Sequence, residues 1–424
     1  MTTIATHPIP ASTAESAQKE RTWEGGVDRV PMWIYTDPAL FEREMETFFG
    51  GPTWNYVGLE CEIPEPGMFR KSWVGTKPVL LVRDADGSIN VMENRCAHRG
   101  TPLCWEERGQ VKSLTCPYHQ WTFNLSGGLV SVPFQRGING KGGMTKDFDK
   151  TQHSLRRLKV TVRGGAIWAS FNENPPSFED YVGPELLTNI DRLFSGRPLR
   201  LLGHSRQLIP CNWKIYWENT RDTYHATLLH TFYVSFGLFR ADSAKIRIAP
   251  LEGGKHNTVV STFVGKKKTA EATQMGRLQS DMGLNDMETV TPRLEFPEQS
   301  AQGLQVFPSA FLQTNLNSLL TRQIIPRSPG TVELVWTYFG FADDDEEMQR
   351  LRLKQANLVG AAGYVSMDDS EVLSQMQRVV SKYPGGKGVL ELGGSGTDAG
   401  EGDTMLTETQ LRAFYAFYRD VMGL

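Results

Sequence analysis

Cysteine, net charge and long hydrophobic runs are all scarce in this sequence. Five cysteines among 424 residues do not form the dense pattern of a disulfide framework, so we expect reduced thiols and a cytoplasmic setting. The formal net charge is −3 and no basic stripe is present, which argues against nucleic-acid or membrane-surface partners. No stretch reaches the ~18 consecutive apolar residues of a membrane span, and residues 1–19 lack the pattern of a signal peptide. Small molecules and other proteins remain as partners.

Two of the cysteines lie in short loops that each also contain a histidine. The loops read Cys-Ala-His at 96–98 and Cys-Pro-Tyr-His at 116–119, which makes the candidate ligands Cys96, His98, Cys116 and His119. Two thiolates can hold one iron and two imidazoles the other, which is the ligation of a Rieske [2Fe–2S] cluster. A single zinc uses the same residue types and is the alternative. Because neutral imidazoles replace thiolates, such a cluster has a raised reduction potential and would carry one electron.

The hydrophobic patterns predict an α+β protein with a small all-β domain and a larger second domain. We assign residues 1–50 to an N-terminal arm and helix, 51–172 to the β-domain with both loops, and 177–424 to the second domain. Short alternating segments separated by Gly and Asp turns predict the β-domain. In the second domain, alternation over residues 319–326 and 332–341 predicts an antiparallel hairpin, and helical periodicity elsewhere predicts helices that flank a sheet.

The last predicted helix spans residues 407–422. Thr407 and Gln410 have the spacing of a capping box at its start. One apolar stripe follows at helical spacing, formed by Leu411, Phe414, Tyr415, Tyr418 and Val421. Arg412 lies off this stripe, so we expect it on a solvated face unless the helix end abuts a binding pocket.

A histidine pair, His225 and His230, lies in the second domain. Five residues of regular helix separate two side chains by about 140°, so a shared metal requires a π-bulge, local unwinding or a break between them. Asp222 precedes His225 by three residues and can accept a hydrogen bond from that imidazole. The alternative is that both histidines are ordinary helix residues.

The residues around this pair resemble the catalytic signature of Rieske non-heme iron ring-hydroxylating oxygenases. The matching words are Asn-Trp-Lys at 212–214 and Glu-Asn-x-x-Asp-x-Tyr-His at 218–225, followed by His230. They come after the cluster loops, in the order of that family. The resemblance implies a Rieske [2Fe–2S] cluster in the first domain and one Fe(II) in the second, bound by two histidines and a carboxylate with positions open for O2.

The same resemblance implies the third iron ligand and the electron path. The family supplies its carboxylate from an acidic pair at the start of a late helix, which matches residues 364–371. We choose Asp369 as the ligand and Asp368 as the second choice, although acids there could instead stabilise a helix N-terminus. In the family, the residue that matches Asp222 bridges two subunits. This implies a contact from Asp222 to His98 or His119 of a neighbouring copy.

Three further sequence motifs resemble those of the large subunits that act on benzoate-type acids such as salicylate, anthranilate, halobenzoates and terephthalate. They lie at 116–121, where Gln120 replaces the Gly of many relatives, at 222–230 and at 350–360. The resemblance implies hydroxylation of a monocyclic aromatic carboxylate with O2 and with NAD(P)H electrons delivered by a ferredoxin, a reductase or both. It also implies a ring of three large subunits (α3) or an α3β3 assembly with a small β subunit. The sequence has no Gly-rich nucleotide fingerprint, so we expect no direct NAD(P)H binding.

A planar carboxylate calls for an arginine, and two arginines are candidates. Arg322 alternates onto the same strand face as Leu320 and Ile324, where a bound anion would compensate its charge. Its alternative partner is Glu333 across the hairpin. Arg412 is the other candidate, because terephthalate-type relatives place an arginine in the corresponding stretch.

Two other functions stay open on the sequence alone. The same metals could serve a Rieske monooxygenase that removes O- or N-methyl groups. Alternatively, the chain could be a non-catalytic electron-transfer or zinc protein in which His225 and His230 only pack.

Overall fold

The computed structural model describes residues 22–231, 244–263, 284–296, 300–395 and 403–424. Most of the predicted N-terminal arm, residues 1–21, lies outside these ranges. The described elements combine several small β-sheets with one large antiparallel sheet and flanking helices, which confirms the predicted α+β fold class. None of the described helices is both long and apolar enough to cross a membrane.

The N-terminal segment packs on the C-terminal part of the chain. Strand β1 (Arg29–Pro31) pairs antiparallel with β19 (Lys387–Val389). Helix α1 (Pro38–Glu44) begins after Asp37, whose side chain accepts hydrogen bonds from two backbone N–H groups of the first turn, and a π-helical turn follows at Met45–Phe49. Glu44, the last residue of α1, is fully buried. Trp213 donates a hydrogen bond to its carboxylate and Lys214 forms an ion pair with it.

Three small antiparallel sheets form the region between residues 55 and 170. The first contains β2 (Asn55–Leu59), β10 (Lys159–Arg163) and β11 (Ala166–Ser170). The second contains β3 (Met68–Val74), β4 (Lys77–Arg83), β5 (Ile89–Glu93) and β6 (Arg108–Gln110). The third contains β7 (Leu114–Thr115), β8 (Thr122–Phe123) and β9 (Leu129–Ser131). The two cysteine–histidine loops follow β5 and β7.

A seven-stranded sheet is the centre of the second region. Its strands are β12 (Leu199–Ile209), β13 (Ala244–Leu251), β14 (His256–Phe263), β15 (Ser300–Val306), β16 (Ala310–Asn315), β17 (Ser318–Ser328) and β18 (Thr331–Phe341). Their order is β12-β18-β17-β16-β15-β14-β13, and every pair is antiparallel. The predicted hairpin at 319–326 and 332–341 is confirmed as β17 and β18.

In the described part of the chain, five helices accompany this sheet. They are α2 (Phe178–Phe194), α3 (Trp213–Asn219), α4 (Glu346–Val359), α5 (Tyr364–Val380) and α6 (Thr409–Met422). Short 3-10 turns occur at Met32–Tyr35, Glu60–Glu62, Lys150–His153, His225–Thr227, Glu252–Gly254 and Met287–Thr289.

The alternation of β17 separates two hydrophobic cores. Leu319 packs with residues of α2 on one face of the sheet. Its neighbour Leu320 packs on the opposite face with residues of α3, α5 and α6, as expected from the two-residue period of a strand. Arg322 follows Leu320 by two residues, so it points into the core that contains α3 and α5.

A buried polar contact fixes the β-domain to the large sheet. Gln323 Nε2 on β17 donates to the carbonyls of Tyr56 and Trp73 at 2.9 and 2.8 Å. The Tyr56 hydroxyl lies 2.8 Å from Thr321 Oγ1. Because unpaired buried polar groups are costly, these hydrogen bonds hold the two regions in one relative position.

The predicted start of the last helix was wrong. Helix α6 begins at Thr409, and its N-cap Glu408 makes no side-chain capping bond. The capping box does not form because the Gln410 side chain donates to the carbonyls of Arg221 and Thr407 instead. The predicted stripe is buried except for Val421, which is 43% exposed.

Candidate metal centres

The two cysteine–histidine loops have the same backbone geometry. In the first, Cys96 N donates to Thr101 O and Gly100 N donates to Cys96 O, both at 2.9 Å. In the second, Cys116 N donates to Trp121 O at 2.8 Å and Gln120 N donates to Cys116 O at 2.9 Å. The fourth residue after each cysteine has a positive φ, 79° at Gly100 and 56° at Gln120. The loops therefore present their ligands as a matched pair.

These loops separate the two ligand types by burial. Cys96 and Cys116 are both buried. Burial first, and then the Cys116 thiol, raise the pKa of Cys96. The rings of His98 and His119 lie 4.7 Å apart nearer the surface, where His98 is exposed. Two inner thiols and two outer imidazoles are the donor set of a Rieske cluster.

The histidine pair and Asp369 converge on one point. One ligand atom each from His225, His230 and Asp369 lies within 4.8 Å of the other two. Asp369 Oδ1 is 3.4 Å from His225 Nε2 and 3.3 Å from His230 Nε2. Two imidazoles and one carboxylate on one side of a metal suit a non-heme Fe(II) with open positions.

A break in helical structure brings the two histidines together. Helix α3 ends at Asn219, and His225 begins a 3-10 turn of three residues, His225–Thr227. The predicted irregularity between residues 225 and 230 is therefore confirmed. Asp369 lies in the second turn of α5, whose first turn contains no acidic residue, so stabilisation of that helix N-terminus does not explain it.

Each histidine of the pair has a carboxylate behind it. Asp222 Oδ2 lies 3.2 Å from His225 Nδ1, although the ring N–H is not aligned with that oxygen, which leaves Nδ1 without a full hydrogen bond. Asp368 Oδ2 lies 3.5 Å from His230 Nδ1. Asp368 was our second choice as ligand, and the structure places it on the far nitrogen of His230.

The charges of this site shift its pKa values strongly. Burial lowers the pKa of His225, but Asp222 and Asp369 outweigh it and raise that pKa to about 10. Burial raises the pKa of Asp369, but His225 and His230 outweigh it and hold that pKa well below its usual range. The site therefore favours a positive charge beside an ionised carboxylate, as a cation site should.

Asn219 is a further residue of this site that we did not single out from the sequence. Its Nδ2 donates to Asp369 Oδ1 at 3.1 Å and lies 3.4 Å from His225 Nε2. The sequence could have indicated it, because Asn219 lies inside the 218–225 motif, directly after Glu218.

The two candidate arginines have different surroundings. Arg322 is buried between the rings of Phe311 and Trp336. The predicted alternative pairing of Arg322 with Glu333 was wrong, because Glu333 lies opposite Ile325 and pairs with other arginines.

Arg412 is buried instead of solvated, so that expectation was also wrong. It donates to the carbonyls of Leu390 and Leu392 at 3.0 and 3.1 Å and to Thr409 Oγ1 at 3.0 Å. The segment before α6 covers it.

The comparisons with known proteins agree with both centres. Residues 53–145 match the Rieske [2Fe-2S] domain, and residues 190–424 match the catalytic domain of the ring hydroxylating alpha subunit. The chain belongs to the ring-hydroxylating alpha-subunit family. Members of this family carry a [2Fe–2S] cluster in the first domain and a mononuclear non-heme iron in the second, and both donor sets described above fit these groups.

Three curated relatives match over nearly their whole length. The large oxygenase component of salicylate 5-hydroxylase from Ralstonia sp is 44% identical over 95% of this chain and 96% of its own. The terminal oxygenase component subunit alpha 2 of terephthalate 1,2-dioxygenase from Comamonas sp is 41% identical, over 95% and 97%. The large subunit of anthranilate 1,2-dioxygenase from Burkholderia cepacia is 39% identical, over 93% of each. All three are named as components or subunits of larger enzymes.

The fold also resembles a solved family structure. Naphthalene 1,2-dioxygenase from Rhodococcus sp., bound to indole, superposes with a TM-score of 0.77 at 24% identity, over 93% of this chain and 94% of that one. At this identity the likeness shows the shared fold.

Proposed function

We propose that this chain is the large subunit of a terminal oxygenase that hydroxylates a monocyclic aromatic carboxylate such as salicylate, anthranilate, a halobenzoate or terephthalate. The three relatives are named for salicylate, anthranilate and terephthalate, which supports this class of acid. The observation that carries it in this chain is Arg322, a buried cation that bonds to Tyr216 on the helix that also contains Asn219. We also propose the domain division at 51–172 and 177–424.

Arg322 has hydrogen-bond partners but no acidic partner among the described residues. Its Nη1 donates to the Tyr216 hydroxyl at 2.9 Å and its Nη2 to Gln313 Oε1 at 2.5 Å, while Nε has no partner. Only 5% of the residue is exposed. A buried cation is costly unless an anion compensates it, and the planar guanidinium matches a carboxylate. A substrate carboxylate would supply the missing charge.

Tyr216 connects this arginine to the metal site. It lies on α3 three residues before Asn219, so the two side chains share a helix face. Burial raises the pKa of Tyr216, Arg322 lowers it, and the charge of Asp369 raises it. Tyr216 therefore lies within electrostatic range of both Arg322 and Asp369. An aromatic acid held by Arg322 would therefore present its ring along the face of α3 that leads to the iron.

The remaining roles follow from the donor sets. We propose Cys96, His98, Cys116 and His119 as cluster ligands, and His225, His230 and Asp369 as the ligands of the mononuclear iron. When bound, the irons supply one-electron transfer and the reductive activation of O2. Asp222 orients His225, and Asn219 restrains the Asp369 carboxylate.

We propose that the electron crosses between copies of the chain, in an α3 ring or an α3β3 assembly with a small β subunit. The cluster histidines lie near the surface, and the Gln323 contacts attach the β-domain to the large sheet of its own chain. Asp222 is partly exposed, so it can meet His98 or His119 of a neighbour. Electrons would come from NAD(P)H through a separate ferredoxin, reductase or both.

Substrate charge provides the test of this function. Steady-state oxygen uptake should be measured with a benzoate-type acid and with its neutral amide, with product analysis. Arg322→Met should raise the KM for the acid at least tenfold and change the KM for the amide much less. Arg206→Met is the control, because Arg206 lies on β12 and pairs with the exposed Glu107 and with Glu333.

Two results would count against this function in different ways. An equal loss for the acid and the amide would contradict a carboxylate-binding role of Arg322. Release of formaldehyde without a hydroxylated ring would replace the proposed function by demethylation.

A further inference from the structure

We propose that Asp368 is a positioning residue for the iron ligand His230, in addition to the role of Asp222 behind His225. The inference rests on the proposed iron site and adds a residue to it. Asp368 and Asp369 are consecutive on α5, and their carboxylates approach opposite nitrogens of one imidazole. Asp369 Oδ1 is 3.3 Å from His230 Nε2, and Asp368 Oδ2 is 3.5 Å from His230 Nδ1.

This arrangement fixes the state of the ring. A carboxylate at Nδ1 favours the tautomer with a proton on Nδ1 and a free electron pair on Nε2, which is the atom that faces Asp369. Such partners orient a ligand histidine and increase its basicity. His230 itself is only 3% exposed, so its ring has little freedom to turn once Asp368 holds Nδ1.

Asp368 and Asp222 act from different elements. Asp222 belongs to the same short segment as its histidine and also accepts a hydrogen bond from Tyr224 N at 2.7 Å. Asp368 belongs to α5, so its contact with His230 ties the 225–230 segment to the helix that supplies Asp369. Loss of Asp368 should therefore loosen the metal site as a whole.

The position of Asp368 on α5 does not fit helix capping, and the described residues offer it no surface cation. It lies beyond the first turn of α5, where the helix dipole has little effect. Among the described residues, His230 is the one basic side chain that pairs with it. Of its exposed neighbours, Tyr364, Met367 and Val372 are uncharged and Glu371 is acidic. The contact with His230 therefore accounts for a carboxylate at this position.

The test is metal affinity in the enzyme with its cluster intact. The apparent dissociation constant of Fe(II), and of Co(II) as a spectroscopic probe, should be measured by chelator competition for Asp368→Ala, Asp368→Asn and the control Glu371→Gln. Glu371 lies on the same helix, is exposed, and bonds only to Gln375 in the described structure. We expect Asp368→Ala to weaken binding about 10- to 100-fold and to change the Co(II) spectrum, Asp368→Asn to restore part of the affinity, and Glu371→Gln to change neither.

His225→Ala separates failure of this inference from failure of the iron site. Metal binding by His225→Ala as tight as in the wild type would overturn the site itself. His225→Ala should bind metal weakly and keep the cluster spectrum of the wild type. If it does, and if Asp368→Ala has the metal affinity and the Co(II) spectrum of the wild type, the role of Asp368 alone is overturned. If Asp368→Ala also lowers the unfolding midpoint of the iron-depleted protein, Asp368→Asn decides, since Asn has nearly the same volume. An unchanged Co(II) spectrum in Asp368→Asn would then overturn the role, and a changed one would support it.

Discussion

The carboxyl of Glu218 should titrate near pH 7 instead of near 4.5, and Glu218→Gln should reveal it. Burial raises the pKa of Glu218 from 4.5 to about 7, and hydrogen bonds from Tyr415 and Tyr35 and the charge of Lys214 only partly oppose this. Lys214 compensates it weakly because its ammonium pairs with Glu44 at 2.7 Å. The nearby Asp222 raises the pKa further.

The size of the effect follows from linkage. Between pH 4.5 and about 7 the unfolded chain loses this proton while the folded chain keeps it, so the free energy of unfolding falls as the pH rises through this window. The full change corresponds to about 3 kcal/mol. This is an upper value, because Glu218 is partly accessible as a residue and water screening reduces it. Above pH 7 no further loss from this group is expected.

Glu218→Gln removes the titration and keeps an oxygen that can accept the Tyr415 hydroxyl. The stability of the variant relative to the wild type should therefore rise between pH 4.5 and about pH 7 and stay level above that. Because a protein with two metal centres does not unfold in two states, unfolding midpoints should be compared at equal metal loading, with Glu371→Gln as control. An infrared pH titration, with Glu218→Gln as the reference, should show the protonated carboxyl disappearing near pH 7. A stability difference that does not depend on pH, or a carboxyl ionised already at pH 5, would refute the reasoning.

Two further predictions concern other parts of the chain. Arg412→Met should lower the free energy of unfolding by about 2 kcal/mol, because it removes charged hydrogen bonds to the carbonyls of Leu390 and Leu392. The preference of the enzyme for the acid over the amide should stay unchanged. An altered preference at unchanged stability would contradict this prediction. Gln120 has a φ of 56°, which a β-branched side chain disfavours, so Gln120→Val should lower the free energy of unfolding by about 1–2 kcal/mol and speed the loss of cluster absorbance on heating. Gln120→Gly should do neither. Equal behaviour of the two variants would contradict this prediction.

Local patterns predicted much of the fold and the metal sites. Two-residue alternation was sufficient for β17 and β18, because successive side chains of a strand point to opposite faces of the sheet. The cluster loops were predictable because ligand type and spacing are local in the sequence. The break between His225 and His230 followed from helix geometry, since a regular helix cannot bring residues five apart onto one metal.

The errors arose where distant segments meet. The helical phase of Arg412 correctly placed it off the apolar stripe, but the stripe could not show that the segment around Leu390 covers that face. Arg322 and Glu333 were separated by strand register, which sets Arg322 opposite Trp336. The partners of Glu218 come from residues 35 and 415, and no local pattern joins such distant positions.

The most direct test of the two iron centres is anomalous diffraction at the iron edge from crystals of the metal-loaded protein. We predict one peak of a two-iron cluster among Cys96, His98, Cys116 and His119, and a second, single-iron peak bonded to His225, His230 and Asp369. A single zinc in the first site, or no metal where the three ligand atoms of the second site converge, would contradict the account.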